Sequence, residues 1–278
     1  MNQHITDNVQ VQPVLEMRDV SFSHVAKQEV CKHLHLSFAP GACALIGQNG
    51  EGKTTILKLL RGLLVPRSGS VCYKGKDISQ RSVAKLAGDI GFVFQNPDDQ
   101  IFESSVLREV MFGLMRLGIS EASARTQARK SLELVGLADK TDVNPYDLGL
   151  CARKLVCLAS ILAMDPSVVL LDEPTIAQDS NGKKILASII KQLVLKNKTV
   201  IAILHDMNFV AQVFDRVVVI DDGHPIFDGS PRDVFARKDV LSRASLDQPP
   251  VVKLCEALGY SKTLLTADEF IAHYRSTS

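Results

Sequence analysis

A parallel α/β fold is what this sequence predicts, with one sheet covered on both faces and a helical block inserted between two of its strands. Three observations carry that expectation. Short apolar runs recur at ACALIG (42–47), IGFVFQ (90–95), VVLLD (168–172), TVIAIL (199–204) and RVVVID (216–221). Segments of helical character lie between them. The runs are continuously apolar rather than alternating, as strands buried on both faces require.

Taken in order, VLEMRDVSF (14–22) alternates in the β manner, and ACALIG is a short strand running into a glycine. KTTILKLLRGLL (53–64) sets Ile56, Leu59, Leu60 and Leu63 at helical spacing. Residues 104–163 are helical in character, with breaks at Gly118, Gly136 and Pro145, and form a subdomain inserted before the strands return. The chain therefore divides into a polar segment (1–13), a large α/β domain (14–238) and a small helical appendage (239–278). In the appendage, Val251, Leu254, Cys255 and Leu258 fall on one helical face. LTADEF offers a capping box, Thr266 with Glu269, and a staple from Leu265 to Phe270. Two short amphipathic helices need a surface, either their own domain or a second chain.

Composition narrows the function classes. The 278 residues are 46% hydrophobic, enough for a real core, and the net charge of +1 offers no electrostatic case for nucleic acid. Six cysteines without a C-x-x-C pair favour reduced thiols over a disulfide framework or a zinc site. His33 and His35 alternate like strand residues rather than metal ligands. No apolar signal region follows residues 2–13, and no run approaches the ~18 apolar residues of a membrane span. The expectation is a soluble, cytoplasmic chain able to dock on a membrane protein.

The chemistry is written in four places. GQNGEGKTT, comprising Gly47, Gln48, Asn49, Gly50, Glu51, Gly52, Lys53, Thr54 and Thr55, fits G-x-x-x-x-G-K-[ST] between a strand and a helix. Its glycines let backbone N–H groups close around phosphates, Lys53 adds a cation, the helix N-terminus adds its dipole, and Thr54 offers a hydroxyl to Mg²⁺. VVLLDEPT ends a strand in Asp172, a Mg²⁺-holding position, followed by Glu173, which can polarise an attacking water. Adjacent side chains on extended backbone point apart, so the two carboxylates can take different roles. Gln95, ending an apolar strand, can reach Mg²⁺ or water, and His205, after another strand, can bond a γ-phosphate oxygen.

The order of these motifs around a helical insert resembles the ATPase subunit of an ABC transporter from about Leu15 to Phe235. Within that superfamily, FVFQNPDDQIF and the tail PPVVKLCEALG…LTADEF resemble the energy-coupling factor and cobalt-type importer ATPases. The resemblance implies a P-loop NTPase with a RecA-like core, an antiparallel β subdomain and a helical subdomain. It also implies two ATPase subunits sandwiching two ATPs, with the tail contributing to dimerisation. The pair would drive a transmembrane coupling protein and a separate substrate-binding membrane protein from the cytoplasmic face. Carried over by position, Lys53, Gln95, Glu173 and His205 match the catalytic set, Thr54, Gln95 and Asp172 the Mg²⁺ positions, and Asp179 in IAQD the D-loop aspartate. His24 stands where an adenine-stacking aromatic is expected.

One motif departs from pattern. Leu148, Gly149, Leu150, Cys151 and Ala152 occupy the signature Leu-Ser-Gly-Gly-Gln, which in the family caps the γ-phosphate of the partner's ATP. Gly149 lacks the hydroxyl, and Leu150 and Cys151 carry β-carbons where glycines allow close approach. Arg153 and Lys154 are the nearest cations that could reach a phosphate instead. This points to a non-identical partner with an intact signature. A tolerated signature variant, a nucleotide-binding regulator with little turnover and a soluble non-transport ATPase are the alternatives.

Overall fold

The computed structural model describes residues 12–25, 28–260 and 262–277. Most of the polar segment expected over 1–13 lies outside the described residues. The chain opens with β1 (Leu15–Val25), β2 (Gln28–Phe38) and β3 (Gly41–Ile46), then α1 (Lys53–Arg61), β4 (Ser68–Tyr73), β5 (Lys76–Asp77), α2 (Val83–Leu86) and β6 (Ile90–Val93). Three longer helices follow: α3 (Val106–Arg116), α4 (Glu121–Leu134) and α5 (Leu150–Ala163). Next come β7 (Val168–Asp172), α6 (Ser180–Leu195), β8 (Thr199–Ile203), α7 (Met207–Val213), β9 (Arg216–Asp221) and β10 (His224–Gly229). The chain closes with α8 (Pro231–Ala236), α9 (Lys238–Arg243), α10 (Pro250–Ala257) and α11 (Ala267–Thr277).

Two sheets result. β2-β1-β4-β5 is antiparallel, and β10-β9-β3-β8-β7-β6 is parallel apart from the edge strand β10. The continuous apolar runs have the cause expected of them. Along β3, Ala42, Ala44 and Ile46 enter one hydrophobic core while Cys43 and Leu45 enter the other. β7 does the same, with Val169 and Leu171 on one side and Val168 and Leu170 on the other. The two-residue side-chain period of a strand, applied to a sheet covered on both faces, demands an apolar residue at every position.

The first core joins the parallel sheet to α3–α7; the second lies between the other face of that sheet, α1 and the antiparallel sheet. Helix α1 fixes the glycine-rich loop before it. Its Ile56, Leu57, Leu59 and Leu60 are fully buried, each contributing about 1.5–3 kcal/mol.

The C-terminal elements depart from the expected pattern. On α10 the buried side chains are Val252 and Cys255, whereas Leu254 and Leu258 are exposed. The helix carries apolar residues on two flanks and packs only one of them on its own chain. The capping box at α11 forms in altered shape. Thr266 accepts from the Glu269 N–H at 3.1 Å, but the Glu269 carboxylate accepts from Leu265 N–H at 2.8 Å rather than from Thr266. Phe270 rests edge-on against Tyr260. All six cysteines are free thiols. Among the described residues no helix is long and apolar enough to cross a membrane.

Candidate nucleotide and catalytic site

The site forms at one edge of the parallel sheet. β3, β6, β7 and β8 run in the same direction, so their C-terminal ends share that edge. They deliver the glycine-rich loop, Gln95, Asp172–Glu173 and His205 respectively. Loops leaving the carboxyl ends of parallel strands are where open α/β sheets bind ligands.

The glycine-rich loop is closed by its own lysine. Lys53 is 5% exposed and its Nζ donates to the carbonyls of Gly47, at 2.8 Å, and Gln48. Burial lowers the Lys53 pKa, opposed by the nearby charges of Glu173, Glu51 and Asp172. Two glycines are obligatory by geometry. Gly47 has φ +152°, and a Cβ there would sit 2.2 Å from the Ile220 carbonyl oxygen. Gly52 caps α1 with φ +82° and would place a Cβ 2.9 Å from the Val30 carbonyl oxygen. The Glu51 carboxylate turns to the β9–β10 corner and accepts from the Asp222 N–H, so Glu51 can serve the cradle only through its backbone. A cavity of about 270 Å³ lies over the loop, bordered by His24, Asn49, Lys53, Thr54, Thr55 and Glu173. Gly50 lines it too. His24 bonds Thr55 Oγ1 through Nε2 at 3.3 Å and meets Phe22 edge-on, which places its ring at the rim.

Thr54 Oγ1 donates to Asp172 Oδ1 at 3.2 Å. Burial raises the Asp172 pKa; the Thr54 hydrogen bond works the other way. Glu173 is the hub. Gln95 Nε2 donates to its Oε2 at 2.7 Å, and His205 Nε2 bonds its Oε1 at 3.1 Å. The two carboxylates do take separate partners, but not for the expected reason. β7 stops at Asp172, and Glu173 adopts φ +49° rather than extended backbone. A non-glycine residue so placed costs roughly 1–3 kcal/mol, and Pro174 behind it favours extended geometry instead.

Residues 31–176, just over half of the chain, match the ABC transporter family model. The chain belongs to the ABC transporter ATPase family. The energy-coupling factor transporter ATP-binding protein EcfA of Methanoculleus marisnigri is 35% identical over 249 residues, spanning 88% of this chain and 89% of the relative. The structure of cbiO1 from Clostridium perfringens, part of the ABC transporter complex cbiONQ, superposes with a TM-score of 0.73 at 31% identity, covering 88% of this chain and 99% of that one. A dimeric ATP-binding cassette in a post-hydrolysis state, bound to ADP and Pi, reaches 0.72 at 25% identity over 78% of this chain and 99% of that one. The chain is thus an ATP-binding subunit with ATPase activity.

In this ABC ATPase the departing signature segment starts α5. Gly149 is the N-cap, with no side-chain cap bond, and Leu150 is 41% exposed. Cys151 Sγ donates to Gln178 Oε1 at 3.0 Å, and Gln178 Nε2 donates back to the Cys151 carbonyl at 3.3 Å. Leu148 packs against the first core beside Ala152. Asp179 caps α6, accepting from the Gly182 N–H at 2.7 Å. The two cations proposed for phosphate contact are engaged within the chain. Arg153 pairs with Asp98 at 2.6 Å, and Lys154 donates to the Glu173 carbonyl at 3.0 Å. Motif reading missed these ties because each partner lies 19–55 positions away in sequence. The one available signal was two consecutive cations heading an otherwise apolar helix.

Proposed function

We propose that this chain is the ATP-hydrolysing subunit of an energy-coupling-factor-type importer for a vitamin or a metal ion. In this reading it pairs with a second, non-identical ABC ATPase, and the pair acts on a transmembrane coupling protein and a separate substrate-binding membrane protein at the cytoplasmic face. One observation carries the reading. The P-loop side is complete around Glu173, with Gln95 and His205 both bonded to its carboxylate, while the signature turn has no hydroxyl and two side chains in place of glycines.

The donor set fits Mg²⁺. Thr54 hydroxyl and Asp172 carboxylate already meet, and the Gln95 amide stands one residue beyond them through Glu173. These three would hold the ion, which when bound neutralises phosphate charge. Lys53 and the loop amides bind and orient the phosphates. Glu173, as general base, takes a proton from the attacking water, and its own charge is held in place by Gln95. His205 Nε2 holds the other carboxylate oxygen, and would exchange that bond for a γ-phosphate oxygen when ATP is bound. An apolar cavity of about 310 Å³ beside the Gln95 loop, bordered by Phe94, Phe102, Phe112, Leu117, Ile161 and Met164, supplies a surface for the membrane coupling protein next to a catalytic loop.

Co-purification followed by ATPase assay tests the pairing: little turnover from the chain alone and marked turnover with the partner are expected. Equal rates would refute the unequal pair. Glu173→Gln in the complex should retain ATP binding and lose roughly 10²–10⁴ in turnover, the range of a general base. Almost no turnover from the unmutated complex would instead favour a nucleotide-binding regulator.

A further inference from the structure

We propose that Lys154 positions Glu173 for catalysis: its buried ammonium grips the Glu173 carbonyl and holds the backbone turn that delivers the carboxylate to Gln95 and His205. The inference rests on Glu173 being the general base. It goes further in assigning a role to a side chain on the signature helix of the same chain.

Lys154 lies one turn into α5 and is 5% exposed. Desolvating an ammonium is expensive unless it is bonded and near opposite charge. Its Nζ donates to Glu173 O at 3.0 Å, and the charges of Glu173 and Asp172 favour the ammonium that burial disfavours. The other partner of that carbonyl is the Ile176 N–H at 3.4 Å, a long and weak bond. The ammonium is therefore the principal tie on a peptide unit that needs one. Glu173 stands at φ +49° immediately before a proline, where the chain favours extended backbone. Released to extended geometry, Glu173 would swing its carboxylate off both Gln95 Nε2 and His205 Nε2. A residue in so sparsely populated a conformation persists only when its surroundings over-determine it.

The helix that carries Lys154 is itself fastened on either side. Cys151 and Gln178 exchange two hydrogen bonds, tying α5 to the loop that follows Glu173. Arg153 pairs with Asp98, tying it to the loop that follows Gln95. Lys154 thus acts from a braced support, and its reach is spent inside the chain. A phosphate contact by the same ammonium would require giving up the Glu173 carbonyl.

The test uses the complex assembled with its partner ATPase and compares Lys154→Met, Lys154→Arg and Glu173→Gln. Steady-state kcat and KM for ATP are measured, with nucleotide affinity from titration of a fluorescent ATP analogue in Mg²⁺. A misplacement on the order of 1 Å of a reacting group costs about 10² in rate. Lys154→Met should therefore lower kcat about 10–100-fold while KM and nucleotide affinity stay within about threefold. Lys154→Arg, which keeps a charged donor, should recover most of the lost kcat. Unchanged kcat in Lys154→Met overturns the proposal. So does a parallel collapse of kcat and nucleotide affinity, which would mark a purely structural lysine, or a Lys154→Arg variant no better than Lys154→Met. Glu173→Gln separates the two levels. If it turns over normally, the general-base reading fails; if it is inactive while Lys154→Met is normal, only the positioning role fails.

Discussion

Restoring the signature is the sharpest perturbation of the unequal-site reading. Gly149→Ser, Leu150→Gly, Cys151→Gly and Ala152→Gln would be combined and placed on a Glu173→Gln background, which on the proposed general-base role should silence hydrolysis on this chain's own P-loop side. What turnover remains then reports the opposite site, the one this signature faces. The folding cost can be worked from the structure. Gly149 already caps α5, a Cβ there meets nothing within 4 Å, and serine in place of glycine gains only a few tenths of a kcal/mol. Leu150 is 41% exposed, so its loss forfeits little burial, and each new glycine in the helix costs at most about 1 kcal/mol. Losing the Cys151 thiol–Gln178 bond removes about 1 kcal/mol more. The changes at positions 149–151 total roughly 2–3 kcal/mol, which leaves a domain of ordinary stability, about 5–15 kcal/mol, folded. Each recovered donor to developing phosphate charge is worth about 10²–10³ in rate. The residual ATPase of the complex should therefore rise by at least about 10². Two results would refute the reasoning: a high residual rate before restoration, which would mean the departing signature already works, or no rise after it in a complex that still binds ATP.

Further outcomes follow from the geometry. Gly47→Ala would drive a methyl into the Ile220 carbonyl, 2.2 Å away, and should abolish nucleotide binding in a fluorescent-ATP titration. Asp206 caps α7, accepting from the Phe209 N–H at 3.0 Å, and accepts from the Lys183 ammonium at 2.6 Å. Burial alone would raise its pKa, but the Lys183 hydrogen bond and the α7 amides hold it below the usual carboxylate value. Its folded pKa lies below the unfolded one, so its stabilisation is present above about pH 4 and is lost as pH falls through the folded pKa. Asp206→Ala should cost about 0.5–2 kcal/mol in denaturant melts at pH 7, and the difference from wild type should shrink below about pH 4.

The local sequence determined the strands, the glycine-rich loop and the residue types proposed for catalysis. It did so because a sheet buried on both faces needs unbroken apolar runs, and because a loop wrapped around phosphate needs glycines where a Cβ would strike a carbonyl. Gln95, Asp172, Glu173 and His205 were legible as polar ends of such runs, and the parallel direction of the strands then brought those ends to one edge. Tertiary structure alone decided what the side chains do there. Glu173 leaves the extended path of β7 for a turn, and a lysine from another helix donates to its carbonyl there. Arg153 and Lys154 carry the right charge for phosphate but are committed to Asp98 and the Glu173 carbonyl. On α10, sequence spacing found a stripe, and packing chose Val252 and Cys255 over Leu254 and Leu258. Helical periodicity names the apolar residues of a flank, whereas which flank is buried depends on the surface the rest of the chain presents to it.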